Sequence, residues 1–200
     1  MTKTIRGVLA GALIAALCAS AAAQTQRVKG TIEKVDGNVL TVKTAQGAQE
    51  RIALADNANI VAVVRASMAD IKEGTFLGSA AMPQADGTQK AVEVHIFPEK
   101  MRGTGEGHRA YDPVPGGTMT NGAASGATVT GVDGGTMTVK YKGGEKKITI
   151  RPDTIILTYV AAEKSELKPG TSVSVNGVVK AGGAVEARRI VVGRGGVIPS

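Results

Sequence analysis

Two hundred residues carry 24 Lys and Arg against 17 Asp and Glu, for a net charge of +7, with 27 glycines, one cysteine and no tryptophan. Glycine stands well above its usual share of about 7%, and Thr and Val recur at strand-like spacing, which sets aside a helical protein in favour of an all-β one. The single cysteine excludes a disulfide framework within the chain, and two Phe with three Tyr leave little on which nucleobases could stack.

The chain opens with a leader. Lys3 and Arg6 precede an apolar run from Val8 to Leu17, and Ala21-Ala22-Ala23 precede Gln24. A cationic start, a short apolar stretch and a small-residue exit describe a secretory signal cleaved after Ala23, since the run is well short of the roughly 20 apolar residues that span a bilayer. No polar face runs along it, as an amphipathic helix of a folded domain would need. Cys18 follows Leu17, where a lipoprotein signal wants a small residue. Residues 1–23 are therefore read as a signal peptide, and the mature chain as periplasmic, free of cysteine and without a transmembrane segment. Removing Lys3 and Arg6 takes the net charge from +7 to +5, and the excess lies in the last third, with eleven basic residues against six acidic from Ala127 to Ser200.

The remainder repeats itself. Gly30-Thr-Ile-Glu-Lys-Val-Asp-Gly-Asn-Val-Leu-Thr-Val-Lys43 lies over Ala127-Thr-Val-Thr-Gly-Val-Asp-Gly-Gly-Thr-Met-Thr-Val-Lys140 at an offset of 97. At an offset of 96, Ile52 and Leu54 fall on Ile148 and Ile150, and Asp70-Ile-Lys-Glu-Gly-Thr75 falls on Glu166-Leu-Lys-Pro-Gly-Thr171. Matches in one order over such a length indicate a duplication, with units at 27–98 and 127–194, a Gly/Pro-rich linker at 99–126 and a tail at 195–200.

Within the first unit, Val28 to Val35 alternates as a strand, Asp36-Gly37-Asn38 turns the chain, and Leu40 and Val42 return with period two. A third strand carries Ile52 and Leu54, and an apolar run follows from Ile60 to Val64. The second copy, Ile155-Ile156-Leu157-Thr158-Tyr159-Val160, is rich in β-branched and aromatic residues, so this run reads as strand and not helix. Ser67 to Gly74 offers a Ser cap, a short helical turn and a terminating glycine. Strands from Thr75 to Ala81 and Lys90 to Phe97 complete the unit. A three-strand meander, a short helical turn and two further strands is the order of an OB-like barrel, so the expected fold is all-β, with two tandem small OB-like barrels, each copy closing on itself. Units of this size are near the lower limit for independent stability and should pack together.

The motifs "G-T-I-x-x-V-D-G-x-x-L-T-V-K" and "D-I-K-E-G-T" in an exported chain resemble an uncharacterised bacterial family of exported OB-like repeats, catalogued as a domain of unknown function. The resemblance covers both units, and its motifs are turn and packing residues that imply no chemistry. Labels of metal transport or permease attach to similar sequences, but a permease needs a spanning segment after the leader.

Several residues are candidates for function. The Gly103-Thr-Gly-Glu-Gly107 run superficially resembles a phosphate-cradling loop, but Pro113 and Pro115 bar the helix whose N-terminus would hold the anion. His95 shares a strand face with Glu93, and His108 is flanked by Glu106 and Asp112; imidazole with carboxylate suits a divalent transition metal, though no pair has the spacing of a recognised metal motif. Tyr111 beside Asp112-Pro113 reads as an anchor for the linker. Lys140, Lys142, Lys146 and Lys147 with Arg188 and Arg189 could form a patch for an anionic partner, or a solvated face. An export signal and scarce aromatics argue against nucleic acid. A mature chain with no cysteine and only two histidines, neither in a nucleophile motif, argues against an enzyme. The expectation is an exported, non-enzymatic binding or scaffold protein with an unknown envelope partner and no cofactor; the alternative is a metal-binding accessory protein using His95, His108 and the carboxylates.

Overall fold

The computed structural model describes residues 24–129, 134–180 and 183–200, so the leader and the expected turn at Asp133 lie outside the described residues. The described chain is all-β: β1 (Thr25–Asp36), β2 (Val39–Thr44), β3 (Gln49–Arg65), β4 (Phe76–Pro83), β5 (Gln89–Ile96), β6 (Gly107–Ala110), β7 (Thr118–Val129), β8 (Gly135–Tyr141), β9 (Gly144–Ile150), β10 (Ile155–Ala161), β11 (Ser172–Val179) and β12 (Val185–Gly193). Short 3-10 turns occur at Met68–Asp70, Glu99–Met101 and Lys164–Glu166.

Local chemistry produces these elements as the sequence suggests. The β1–β2 hairpin turns at Gly37, whose φ of 60° a side chain would resist, and its alternation buries Val28, Ile32, Leu40 and Val42. At the first 3-10 turn, the Ser67 backbone N–H and hydroxyl both donate to the Asp70 carboxylate, at 2.8 and 2.9 Å. Those two hydrogen bonds hold the Asp70 carboxyl below its usual range. Gly74, at φ 79°, releases the chain into β4.

Strands β1, β2, β3, β12 and β11 close into a five-stranded barrel. β1 pairs with β2 on one side and β11 on the other, β2 pairs with β3, β3 runs parallel to β12, and β12 pairs with β11. Ile32, Leu40, Ile52, Val175 and Ile190 fill the interior and are fully enclosed. The other strands pair in the order β5-β4-β7-β8-β9, and β5 meets β9 again at Gln89↔Ile148 and Lys90↔Thr149. A second core of Leu77, Val94, Met137, Val139, Ile148 and Ile150 lies among them. β10 stands between β3 and β5, antiparallel to one and parallel to the other, so both strand groups belong to one continuous sheet.

The closed barrel is not made by one copy. Its closing strands β11 and β12 come from the 127–194 segment, while β4 and β5 of the 27–98 segment pair with β7 and β9. The crossover begins at the 3-10 turns: Ile71 belongs to the second core and Leu167 to the barrel core. The cause lies in β3. Its 17 residues run without a turn, bulging between Leu54 and Asn59 where β12 has only Ala187 to Arg189, and beyond Val63 they pair with β10 and no longer with β12. The strand therefore leaves the barrel and delivers β4 to the other group. The corresponding stretch of the second segment is broken at Arg151-Pro152-Asp153-Thr154 into β9 and β10, where proline cannot donate to a ladder.

The segment expected as a linker is also shorter than 99–126. β7 begins at Thr118, and Gly122, not Ala127, occupies the place matching Gly30. A Cβ at Gly30 would lie 2.1 Å from the Lys43 carbonyl oxygen, and one at Gly122 would lie 2.2 Å from that of Lys140. The constant offset of 97 holds for Val42 and Val139 in β2 and β8, but extra residues before β8 displace β7 by five positions. Identity matching missed this because a glycine anchored by close approach carries little sequence signal.

Two outcomes follow from this wiring. Gly30→Ala and Gly122→Ala should each lower unfolding free energy by about 1–3 kcal/mol, since neither carbonyl can withdraw without breaking a ladder, whereas Gly37→Asn should be mild; urea titration distinguishes them. A protease site inserted in the exposed Val114–Gly116 loop and cut should leave 24–115 and 116–200 co-eluting as one species on gel filtration, separating only under denaturant. Two independently folded peaks would contradict the pairing.

Candidate functional site

At the joint between the two strand groups lies a face that neither contains alone. Residues directly opposite in register share a face of a sheet. On that basis Asn176 and Ser174 of β11, Arg189 and Val191 of β12, Val61 and Val63 of β3, Leu157 and Tyr159 of β10, and Glu93 and His95 of β5 all lie on the outer face. Val61, Val63, Leu157 and Val191 form a separate apolar cluster there, closed over by Val197 from the chain's last segment.

A stack of rings and guanidinium groups crosses this joint. The Arg189 guanidinium carbon sits 5.3 Å from the Tyr159 ring centroid, and Tyr159 stacks on both His95 and Phe97, each at 5.4 Å. Phe97 leans on Phe76 at 5.8 Å, and Arg102 covers Phe76 at 5.8 Å. Three of the five Phe and Tyr of the chain are thus used in one place. Aromatic pairs of this kind contribute about 0.5–1.5 kcal/mol beyond their burial, and a guanidinium over a ring about as much. Burial pushes the Tyr159 phenol up, against the opposing effect of Arg189.

Beside the stack, His95 and Glu93 meet as their shared strand face implies. His95 Nε2 is 2.5 Å from Glu93 Oε1 and 3.1 Å from the Ser200 hydroxyl, and the residue is only 6% exposed. Burial alone would raise the Glu93 carboxyl, but hydrogen bonds from His95 and Ser200 and the charges of His95 and Lys29 outweigh it and hold it below its usual range. The hydrogen-bond pattern assigns the proton to Nε2, which donates to Glu93, leaving the buried Nδ1 with no partner among the described residues. Serine and carboxylate thus meet the same ring nitrogen. A nucleophile relay requires them on opposite nitrogens, so this contact is not one.

The five residues considered for a metal fall in three places. His108, on β6, bonds Thr120 Oγ1 through Nδ1 at 2.8 Å and stacks on Tyr141 at 6.3 Å; burial, then the charge of Lys146, lowers its pKa. It is aligned through Thr120 and Ser79 with Val94 and not with His95, so the two histidines lie on opposite faces, three strands apart. Glu106 accepts the Lys142 backbone N–H at 2.9 Å, and Asp112 is exposed in the loop after β6. Among the described residues no group of three or more His, Cys, Asp and Glu is placed to hold an ion. The six basic residues also divide. Lys140, Lys142, Lys146 and Lys147 belong to the β8–β9 hairpin, where Lys140 stands opposite Glu145, whereas Arg188 and Arg189 are on β12 in the barrel, at the other end of the strand order.

Sequence reasoning passed over Arg27, Lys29, Asn176, Tyr159 and Ser200. The polar alternation Arg27-Val28-Lys29 and the lone Asn176 in an apolar strand were visible, but their convergence depends on pairing across 149 residues, as in the 3.1 Å bond from Arg27 Nε to Asn176 Oδ1.

The last segment is pinned over the joint at several points. Arg194 donates to Glu166 twice, at 2.6 and 2.7 Å, and to the Ala161 carbonyl at 2.9 Å; Val197 is buried, and Ser200 reaches His95. The Arg194 hydrogen bonds, then one from the Glu163 backbone, hold the Glu166 carboxyl down to about 2. Because folding lowers this pKa, the stabilisation is full above the ordinary carboxylate value near 4.5 and is lost as pH falls through about 2. Hydrogen exchange at residues 194–200 should accordingly stay slow from pH 7 to 5 in the wild type, while Glu166→Gln should exchange faster throughout. Equal rates in the two proteins at pH 7 would refute the pinning.

No family model matches the chain, and no curated relative or solved structure of similar sequence or fold is found.

Proposed function

We propose that this chain is an exported, non-enzymatic binding or scaffold protein of the periplasm, built from two OB-like barrels of a duplicated unit that exchange their closing strands, and that the outer face at their joint is its ligand-facing surface. The leader ending at Ala23 and the resemblance to exported OB-like repeats support the compartment and the duplication. The observation that carries the binding reading is the Arg189–Tyr159–His95/Phe97 stack, which fixes charged and polar groups at a joint where cations outnumber carboxylates. The placement of Ser200 and Glu93 on one nitrogen of His95 weighs against hydrolytic chemistry there.

The metal-binding alternative has less support, since its five residues are dispersed and Glu93 already occupies His95 Nε2. Zinc, copper or nickel added to the mature protein should leave the melting temperature unchanged, because a ligand held only by the folded state must raise it. A rise that grows with the logarithm of metal concentration would restore that alternative.

The main reading is tested by native mass spectrometry of protein released from the periplasm by osmotic shock. A chain beginning at Gln24 and carrying an unaltered envelope molecule that Tyr159→Ala loses is expected. A chain retaining Met1 in the cytoplasm, or one that converts what it binds, would overturn it.

A further inference from the structure

Four polar residues stand in one row across the outer face of the barrel. Arg27 of β1 is opposite Asn176 of β11, Asn176 is opposite Arg189 of β12, and Arg189 is opposite Asn59 of β3. With neighbouring strands about 4.8 Å apart, the row is about 14 Å long and its two arginines stand about 10 Å apart. The neighbours Val28, Val175 and Ile190 point into the core, so the row is a true outer-face set. Lys29 lies one row on, opposite Ser174.

Three cations, Arg27, Lys29 and Arg189, meet here with no carboxylate at ion-pair distance among the described residues. Glu50 borders the groove holding Arg27 and Lys29 without entering ion-pair distance, and Glu93 is held by His95. Burial, then the like charge of Arg27, hold the Lys29 ammonium below its ordinary pKa, with Glu93 opposing, so the local excess is positive. The groups are also oriented. The Arg189 guanidinium lies over the Tyr159 ring, and its buried Nε has no hydrogen-bond partner among the described residues. Asn176 Oδ1 accepts from Arg27, so the donor it can offer a ligand is its amide NH₂.

We propose that this row is a binding site for a multivalent oxyanion, a phosphate or carboxylate ligand whose several anionic oxygens engage both the Arg27 and Arg189 guanidiniums, with Asn176 donating between them. The proposal rests on the binding reading above and names its ligand class. Planar guanidiniums suit such oxygens because their paired N–H groups match two oxygens at once, which a lysine ammonium cannot do. The β8–β9 lysines offer charge without that fixed geometry.

Calorimetric titration of the mature protein at low salt, with tripolyphosphate in one arm and citrate in the other, tests this. At least one probe should bind, more tightly than monovalent acetate or inorganic phosphate; which arm is stronger separates phosphate from carboxylate recognition. Arg27→Ala with Arg189→Ala should weaken binding by tenfold or more, and Arg27→Lys with Arg189→Lys, which keeps both charges, by at least fivefold. Replacing Lys140, Lys142, Lys146 and Lys147 together by alanine should change it less than twofold. Should the alanine pair misfold, the lysine pair still decides. Wild-type affinity in the lysine pair, or equal losses in the two patches, would overturn the site in favour of diffuse attraction. No heat with either probe would overturn it too, while a co-purifying envelope molecule would leave the binding reading standing.

Discussion

The physical constraint on which the structure depends is the closure of a barrel by strands distant in sequence. β3 pairs in parallel with β12 over eight residues, from Ile52↔Val185 to Val63↔Gly193, and β1 pairs with β11 over seven. Neither can form until residues near the end of the chain have found those near its beginning. The entropy of closing so long a loop is offset only when the whole interior, from Ile32 to Ile190, leaves water together. Such a barrel forms cooperatively and slowly, in keeping with its non-local contacts. The arrangement also leaves no free edge on the barrel where another chain could add a strand.

The same exchange creates the joint. Because β3 continues beyond the barrel and β10 pairs between it and β5, outward-facing residues from both strand groups share one surface. Phe76 and Phe97 come from the 27–98 segment and Tyr159 from the 127–194 segment; here they form one stack capped at both ends by arginine. The apolar cluster under Val197 and the Arg194–Glu166 contact fasten the end of the chain to that surface. Ring stacking restricts side-chain motion, so the polar groups beside it are held in fixed positions rather than sampled.

Local features were legible in the sequence to the degree that they depend on near neighbours. The Asp36-Gly37 hairpin, the period-two burial of Leu40 and Val42, the capped turn at Ser67 and the proximity of Glu93 to His95 all involve residues within a few positions of one another. What failed depended on distance. The matched copies suggested that each would close on itself, but a strand pattern specifies which face is buried and not which partner it meets. His95 and His108 seemed neighbours because a short loop separates them, and the register puts them on opposite faces. The basic residues seemed one patch because they share the last third of the chain, although β9 and β12 stand at opposite ends of the strand order.

An all-β chain, its turns and the inward set of each strand follow from residue order alone, because backbone propensity, glycine freedom and alternation act over a few residues. Which strands close the barrel, the placing of Gly122 where Gly30 stands in the first unit, and the row of Arg27, Asn176 and Arg189 emerge with the folded chain. The barrel and the row come from hydrogen-bond ladders between segments more than a hundred residues apart, and the place of Gly122 from the register of β7 on β8. The energy of such ladders is nearly indifferent to which residues they join, and the packing of the shared core selects among them.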